Sequence, residues 1–86
     1  MNNIEIYTST TCPYCLKAKK LFQMLKLKYT EYNVEKDFDK MCNELSEKYN
    51  RQITTVPQII INNKYIGGYS DLETLYKNNE LNKFLN

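Results

Sequence analysis

Ile4 and Ile6 flank polar Glu5, and this period of two predicts a short first strand. The spacing then changes. Cys15, Ala18, Leu21, Phe22 and Leu25 recur at three and four residues, while Lys17, Lys20, Gln23 and Lys26 fall elsewhere. That pattern predicts an amphipathic helix over 13–27. Pro13 suits its first position, where a fixed φ and a missing N–H cost nothing. The segment 29–34 is rich in aromatic and β-branched residues and predicts a second strand. Asp37 is placed to cap a second helix, with Asp39 in its first turn and a buried stripe of Phe38, Met41, Cys42, Leu45 and Tyr49. Residues 56–61 predict a third strand and Tyr65-Ile66 a fourth. Asn62-Asn63 between them can supply the positive φ of a two-residue hairpin turn. Gly67-Gly68 should break that strand, and Ser70-Asp71-Leu72-Glu73 reads as a capping box opening a third helix. Leu81, Phe84 and Leu85 suggest a last helical turn.

The order is strand, helix, strand, helix, strand, strand, helix. It implies an α/β domain spanning residues 1–86, with a parallel first βαβ unit, an antiparallel final hairpin and a mixed four-stranded sheet under helices. With 86 residues there is room for one core and little room for two sites. A net charge of +2 leaves no polybasic footprint, so nucleic acid is not an expected partner. No apolar run approaches a membrane span, and none is expected. The first residues lack the basic and apolar regions of a signal peptide, so a reducing cytoplasm is the expected location.

Composition narrows the chemistry further. The chain has three cysteines, an odd number and too few for a disulfide scaffold. It has no histidine, which excludes Cys-His and Ser-His catalysis and the usual zinc ligand. Chemistry must come from thiols, carboxylates, lysines or tyrosines. Cys12-Pro13-Tyr14-Cys15 stands between the first strand and the first helix, the context in which C-x-x-C signals redox exchange. Cys12 precedes the helix, where unpaired N–H groups and the positive end of the dipole stabilise a thiolate. Cys15 lies about one turn on, within reach of the Cys12 sulfur and on the apolar face. Cys12 is therefore the expected attacking thiol and Cys15 the less exposed one. A structural zinc site would need about four ligands, which these residues do not supply, so no metal is expected.

Cys12-Pro13-Tyr14-Cys15, Thr55-Val56-Pro57 and Gly67-Gly68-Tyr69-Ser70-Asp71, in this order and spacing, resemble the dithiol glutaredoxins, in particular the short bacterial kind. The likeness covers nearly the whole chain. It implies a thioredoxin-like fold, a central four-stranded mixed sheet flanked by three or four helices. It also implies glutathione as the reducing co-substrate, and disulfide-containing or glutathionylated proteins as clients. Ribonucleotide reductase is a common client in that family, but no residue here selects it. A monomer is expected. The family's potentials, about −200 to −230 mV, are within reach of a glutathione pool.

The resemblance also assigns roles. Pro57 corresponds to a cis-proline facing the redox pair, leaving the Val56 backbone to pair with the cysteinyl part of glutathione. Thr55 belongs to the same block. Gly67 and Gly68 would admit the ligand closely, Ser70 and Asp71 would hold its γ-glutamyl end, and Tyr14 would lie alongside it. Taken without the cysteine pair, Pro57 equally begins an edge strand, the glycines form a turn and Ser70 is an ordinary cap. Ser9 stands where many relatives carry a basic residue, and Arg51 or Gln52 are the candidates to replace it. Lys19 could add positive potential near the site, and Cys42 reads as core. Two other functions remain open: a redoxin reduced by thioredoxin reductase, and an iron–sulfur cluster carrier, against which Pro13 speaks.

Overall fold

Ile59, Ile60 and Ile61 are buried on both faces of one central strand, and the rest of the chain is arranged around them. The structure is a computed structural model that describes residues 2–85; the two end positions of the expected 1–86 domain lie outside the described residues. In chain order the elements are β1 (Ile4–Thr8), α1 (Pro13–Met24), β2 (Thr30–Asn33), α2 (Phe38–Tyr49), β3 (Gln58–Ile61), β4 (Lys64–Gly67) and α3 (Tyr69–Lys77). A 3-10 turn, Leu81–Phe84, follows. The sheet order is β2-β1-β3-β4. β1 runs parallel to β2, and β3 is antiparallel to both β1 and β4. This is the mixed sheet of a thioredoxin-like fold.

Strand alternation divides the core into two. Ile4, Ile6, Ile59 and Ile61 face α1 and α3, packing with Ala18, Leu21, Phe22, Leu72 and Leu81. Ile60 faces the other way, toward Val34, Met41, Cys42, Leu45 and Ile53, with half-buried Tyr7 and Tyr65 around them. β3 has no polar alternation because helices cover both its faces. β2 is the exposed edge, and all four of its residues lie at the surface. Full burial of Phe22 contributes about 1.5–3 kcal/mol, against about 1 kcal/mol for a helix cap, so packing sets where α1 lies.

Element ends differ from expectation for local reasons. The first helix stops at Met24, not at residue 27. Lys26 adopts φ 58°, the Lys26 N–H donates to the Gln23 carbonyl, and the Leu27 N–H donates to the Phe22 carbonyl. This is a Schellman ending with lysine in the position glycine usually holds, so composition did not mark it. The third strand begins at Gln58, not at residue 56: Pro57 has no N–H to give the ladder, and the Val56-Pro57 peptide is cis. Asn62 and Asn63 do turn the hairpin with φ of 50° and 65°. Asp37 occupies the N-cap of α2, but its side chain makes no capping bond. The capping box expected at Ser70 does not form: Gly68, two residues earlier, is the N-cap of α3, and only the return half is made, its N–H donating to Asp71 Oδ2 at 3.0 Å. Gly67 has φ 120°, and a Cβ there would run into the Asp71 carboxylate, so this position requires glycine. A Cβ on Gly68 would meet only the Pro57 carbonyl at an ordinary 3.6 Å. Among the described residues, no helix is long and apolar enough to cross a membrane.

Candidate active site

β1 delivers the chain to a loop, Ser9–Thr11, that ends at Cys12. Cys12 is the N-cap of α1, in extended backbone, with Pro13 directly behind it. The Cys15 N–H donates to Cys12 Sγ at 3.1 Å, so the sulfur fills the place a capping oxygen would hold. No acidic residue stands in the first turn of α1 to compete for the helix end. The two cysteines are joined as a disulfide, with Cα atoms 5.2 Å apart. Cys15 is 1% exposed, whereas Cys12 is half-buried, the order that helical phase predicted. The loop is pinned from β2: Asn33 Nδ2 donates to Thr10 Oγ1 at 3.2 Å, and Thr10 Oγ1 donates to Glu35 at 2.9 Å.

On one side of Cys12 lies a groove of about 380 Å³, lined by Tyr14, Thr55, Val56, Pro57, Gly68, Tyr69 and Ser70. Cys12 Sγ sits 3.6 Å from the Val56 carbonyl oxygen. A disulfide sulfur has no proton to donate, so this becomes a hydrogen bond only for a reduced, protonated Cys12. Pro57 is buried behind the groove. Tyr14 is 58% exposed, yet its ring has two partners. Tyr69 stacks on it at 6.1 Å between centroids, and the Lys17 ammonium lies 5.2 Å from its centre on the helix.

Six of the expected ligand residues thus converge: Tyr14, Thr55, Val56, Pro57, Gly68 and Ser70. Asp71 is not among the lining residues of this groove. Its carboxylate is engaged by the Gly68 N–H, and it lines an adjoining cavity with Tyr65 and Phe84. Arg51 and Gln52 do not line the groove either, and the Arg51 guanidinium lies over the Tyr65 ring at 5.4 Å.

A second groove, of about 520 Å³, opens on the other side of both cysteines. Ser9, Thr11, Leu16, Lys19, Glu31 and Asn33 contribute to it. Lys19 pairs with Glu31 at 3.0 Å, and the buried Thr8 hydroxyl donates to the same carboxylate oxygen at 2.7 Å. The Thr8 bond, then the Lys19 bond, hold Glu31 below the usual carboxylate range. Lys19 is therefore near the site, as expected, but its charge is largely cancelled. Glu31 and Thr10 were not selected from the sequence, and Tyr69 was placed near the site only by its position in the third block, without its contact to Tyr14. They reach the site through strand pairing and tertiary packing, which no local spacing encodes. Only the Tyr14–Lys17 contact, at helical i,i+3 spacing, could have been read locally. Cys42 is a buried free thiol on the α2 side of the sheet. Among the described residues, no cluster of three or more metal-ligating side chains occurs.

Comparison with known proteins gives concordant results. The glutaredoxin family model matches residues 4–66. Glutaredoxin 1 of Rickettsia bellii is 41% identical over 86 residues, covering 99% of this chain and 88% of the relative. The solution structure of a dithiolic glutaredoxin of Trypanosoma brucei brucei superposes with a TM-score of 0.83 at 36% identity, over 99% of this chain and 88% of that one. The crystal structure of a buckwheat glutaredoxin–glutathione complex superposes with a TM-score of 0.84 at 27% identity, over 98% and 76%.

Proposed function

This chain belongs to the glutaredoxin family and is a thiol–disulfide oxidoreductase, and we propose that it draws its electrons from glutathione through Cys12. In this reading one domain over residues 1–86 acts in a reducing cytoplasm, as a monomer, on glutathionylated and disulfide-containing proteins. The observation that carries it is the position of Cys12. Its sulfur caps a helix, receives the Cys15 N–H at 3.1 Å, and borders a groove walled by Tyr14 and the Val56 backbone. The buckwheat relative was crystallised with glutathione, which supports the same ligand class here.

Two reactions follow from exchange chemistry. With a glutathionylated protein, the Cys12 thiolate attacks the glutathione sulfur. A Cys12–glutathione disulfide forms, and the protein thiolate leaves and takes a proton. A second glutathione, as thiolate, attacks the glutathione sulfur of that disulfide. Oxidised glutathione departs, and the Cys12 thiolate is restored. With a protein disulfide, Cys12 attacks one sulfur and releases the other as a thiolate. Cys15, deprotonated, then attacks Cys12 Sγ, freeing the second protein thiol and closing the disulfide present in this structure. Two glutathiones reduce it.

In this scheme the Tyr14 groove holds the tripeptide. The Val56 backbone is offered to its cysteinyl unit. Gly68 and Ser70, with the N–H groups of the first turn of α3, suit the γ-glutamyl carboxylate. Asp71 supports that end by holding the Gly68 N–H. The test is turnover of the mixed disulfide of glutathione and 2-mercaptoethanol, with glutathione, glutathione reductase and NADPH. Steady NADPH oxidation is expected. Activity with thioredoxin reductase alone, and none with glutathione, would overturn the proposal.

A further inference from the structure

Resting on the glutathione reading above, we infer that Tyr69 is a positioning residue, acting through Tyr14 to fix one wall of the groove. Tyr14 is a poor wall by itself. Its ring projects from the first turn of α1 and is 58% exposed, so an unsupported ring would sample several rotamers and lose that freedom when a ligand binds. Tyr69 removes the problem before binding. Its ring lies nearly parallel to that of Tyr14, with centroids 6.1 Å apart and planes inclined by 26°.

Tyr69 is itself anchored at several points. It packs against the core formed by α1, α3 and the sheet. Its hydroxyl donates to Glu73 at 2.9 Å, one turn along α3, and Glu73 in turn pairs with Lys77 at 3.7 Å. The Lys17 ammonium also approaches Tyr14, at 5.2 Å from the ring centre, but on a long and exposed stem. Tyr69 is thus the fixed member of the stack and Tyr14 the member it holds. The stack also ties the first residue of α3 to the first turn of α1. The start of α1 carries Cys12, which reaches the groove beside the Val56 carbonyl, and the start of α3 carries the groove residues Gly68 and Ser70. The separation between the sulfur and the γ-glutamyl end is therefore set before the glutathionyl group arrives, which lowers the ordering cost of binding.

The consequence is a KM effect without a kcat effect, because Tyr69 does not touch the exchanging sulfurs. The experiment measures both constants for the mixed disulfide of glutathione and 2-mercaptoethanol in wild type, Tyr69→Met, Tyr69→Phe, Tyr14→Ala and the double variant Tyr14→Ala/Tyr69→Met. Tyr69→Met should raise KM by about 2- to 10-fold, the range spanned by one aromatic pair, with kcat held. Tyr69→Phe keeps the ring and should keep KM near wild type. In the Tyr14→Ala background, Tyr69→Met should add no further rise. Thermal melting confirms that each variant folds, and Tyr69→Leu is a second probe of the lost ring should methionine not be accommodated.

Wild-type KM in Tyr69→Met overturns the inference. So does an equal fall in kcat, or a KM increase in Tyr69→Met that persists undiminished without the Tyr14 ring, which would make Tyr69 a direct ligand. A wild type idle with glutathione overturns the parent reading and this inference with it. A wild type that turns over, with Tyr69→Met unaltered, overturns this inference alone.

Discussion

Cys12 and Cys42 carry the same side chain on two helices of equal length, one at the N-cap and one inside, and the fold gives them opposite surroundings. Cys12 stands at the end of α1, where the first N–H groups have no carbonyl partners within the helix, and one of them points at its sulfur. Cys42 stands inside α2, where the backbone groups are already paired. Its neighbours are Met41, Leu45, Val34 and Ile60. Burial first, and the nearby Asp39 carboxylate second, push its thiol pKa up. A thiolate is stabilised in one place and penalised in the other. In the proposed function, reactivity is a property of position along a helix and depth in the core.

The largest expected break in this comparison comes from Cys12→Ser. A hydroxyl at the same cap is not ionised near neutral pH, so turnover with glutathione should fall to the rate of the uncatalysed exchange. Measurable residual catalysis would mean another thiol can attack. Cys15→Ser is the next largest. Reduction of glutathione mixed disulfides should survive, since a second glutathione resolves the intermediate. Reduction of a protein disulfide should be lost or stall as a trapped mixed disulfide, visible by intact mass. Equal loss of both reactions would show that the roles of the two cysteines are wrongly divided.

The placement of both cysteines was legible in the sequence because it depends on short-range geometry. A strand, a C-x-x-C and a proline at the first helical position fix the cap, and helical phase assigns Cys15 to the apolar face. The mixed pairing was legible for a similar reason: a strand–helix–strand unit pairs in parallel, and two strands joined by Asn62-Asn63 pair antiparallel, whereas the order β2-β1-β3-β4 was not predicted. What could not be read either carries no marker residue or depends on contacts distant in sequence. Lys26 ends α1 because Leu27 folds back onto Phe22, and no glycine announces it. Tyr69 reaches Tyr14 only because α3 packs beside α1. Glu31 reaches Thr8 and Lys19 only through the β1–β2 pairing.

A smaller effect should follow Cys42→Ala. Activity should be unchanged, and stability should drop by about 1 kcal/mol or somewhat more for the small cavity. Its pH dependence carries a sign. The folded-state pKa of Cys42 lies above its ordinary value of 9.0, so the unfolded chain releases this proton first. Stability from the neutral buried thiol is fully present below pH 9 and declines as pH rises toward the folded value. Tyr7 and Tyr65, both raised mainly by burial, act in the same direction at higher pH. The alkaline loss of stability should therefore be shallower in Cys42→Ala, not abolished. In the native reduced protein, iodoacetamide should label Cys12 and spare Cys42 until denaturant is added. Comparable labelling of both would erase the contrast between them.

The smallest expected effect tests whether the helix end alone activates Cys12. Lys19 borders the same groove as the two sulfurs, but Glu31 holds its ammonium at 3.0 Å. Glu31→Gln keeps an acceptor for Thr8 and Lys19 while removing the negative charge. Two readouts should then move in opposite directions. Stability should fall slightly, by less than about 1 kcal/mol, because the carboxylate is 36% exposed and such pairs are screened. The Glu31 pKa is lowered in the folded protein, so its contribution is present above the ordinary carboxylate range. That contribution disappears as pH falls through the folded value, and the stability curves of wild type and variant should converge in acid. Meanwhile the uncancelled Lys19 charge should stabilise the Cys12 thiolate, moving the onset of iodoacetamide labelling to lower pH. An unmoved labelling profile, with the stability change present, would show that Lys19 is electrostatically silent at Cys12 and that the cap and the helix end suffice.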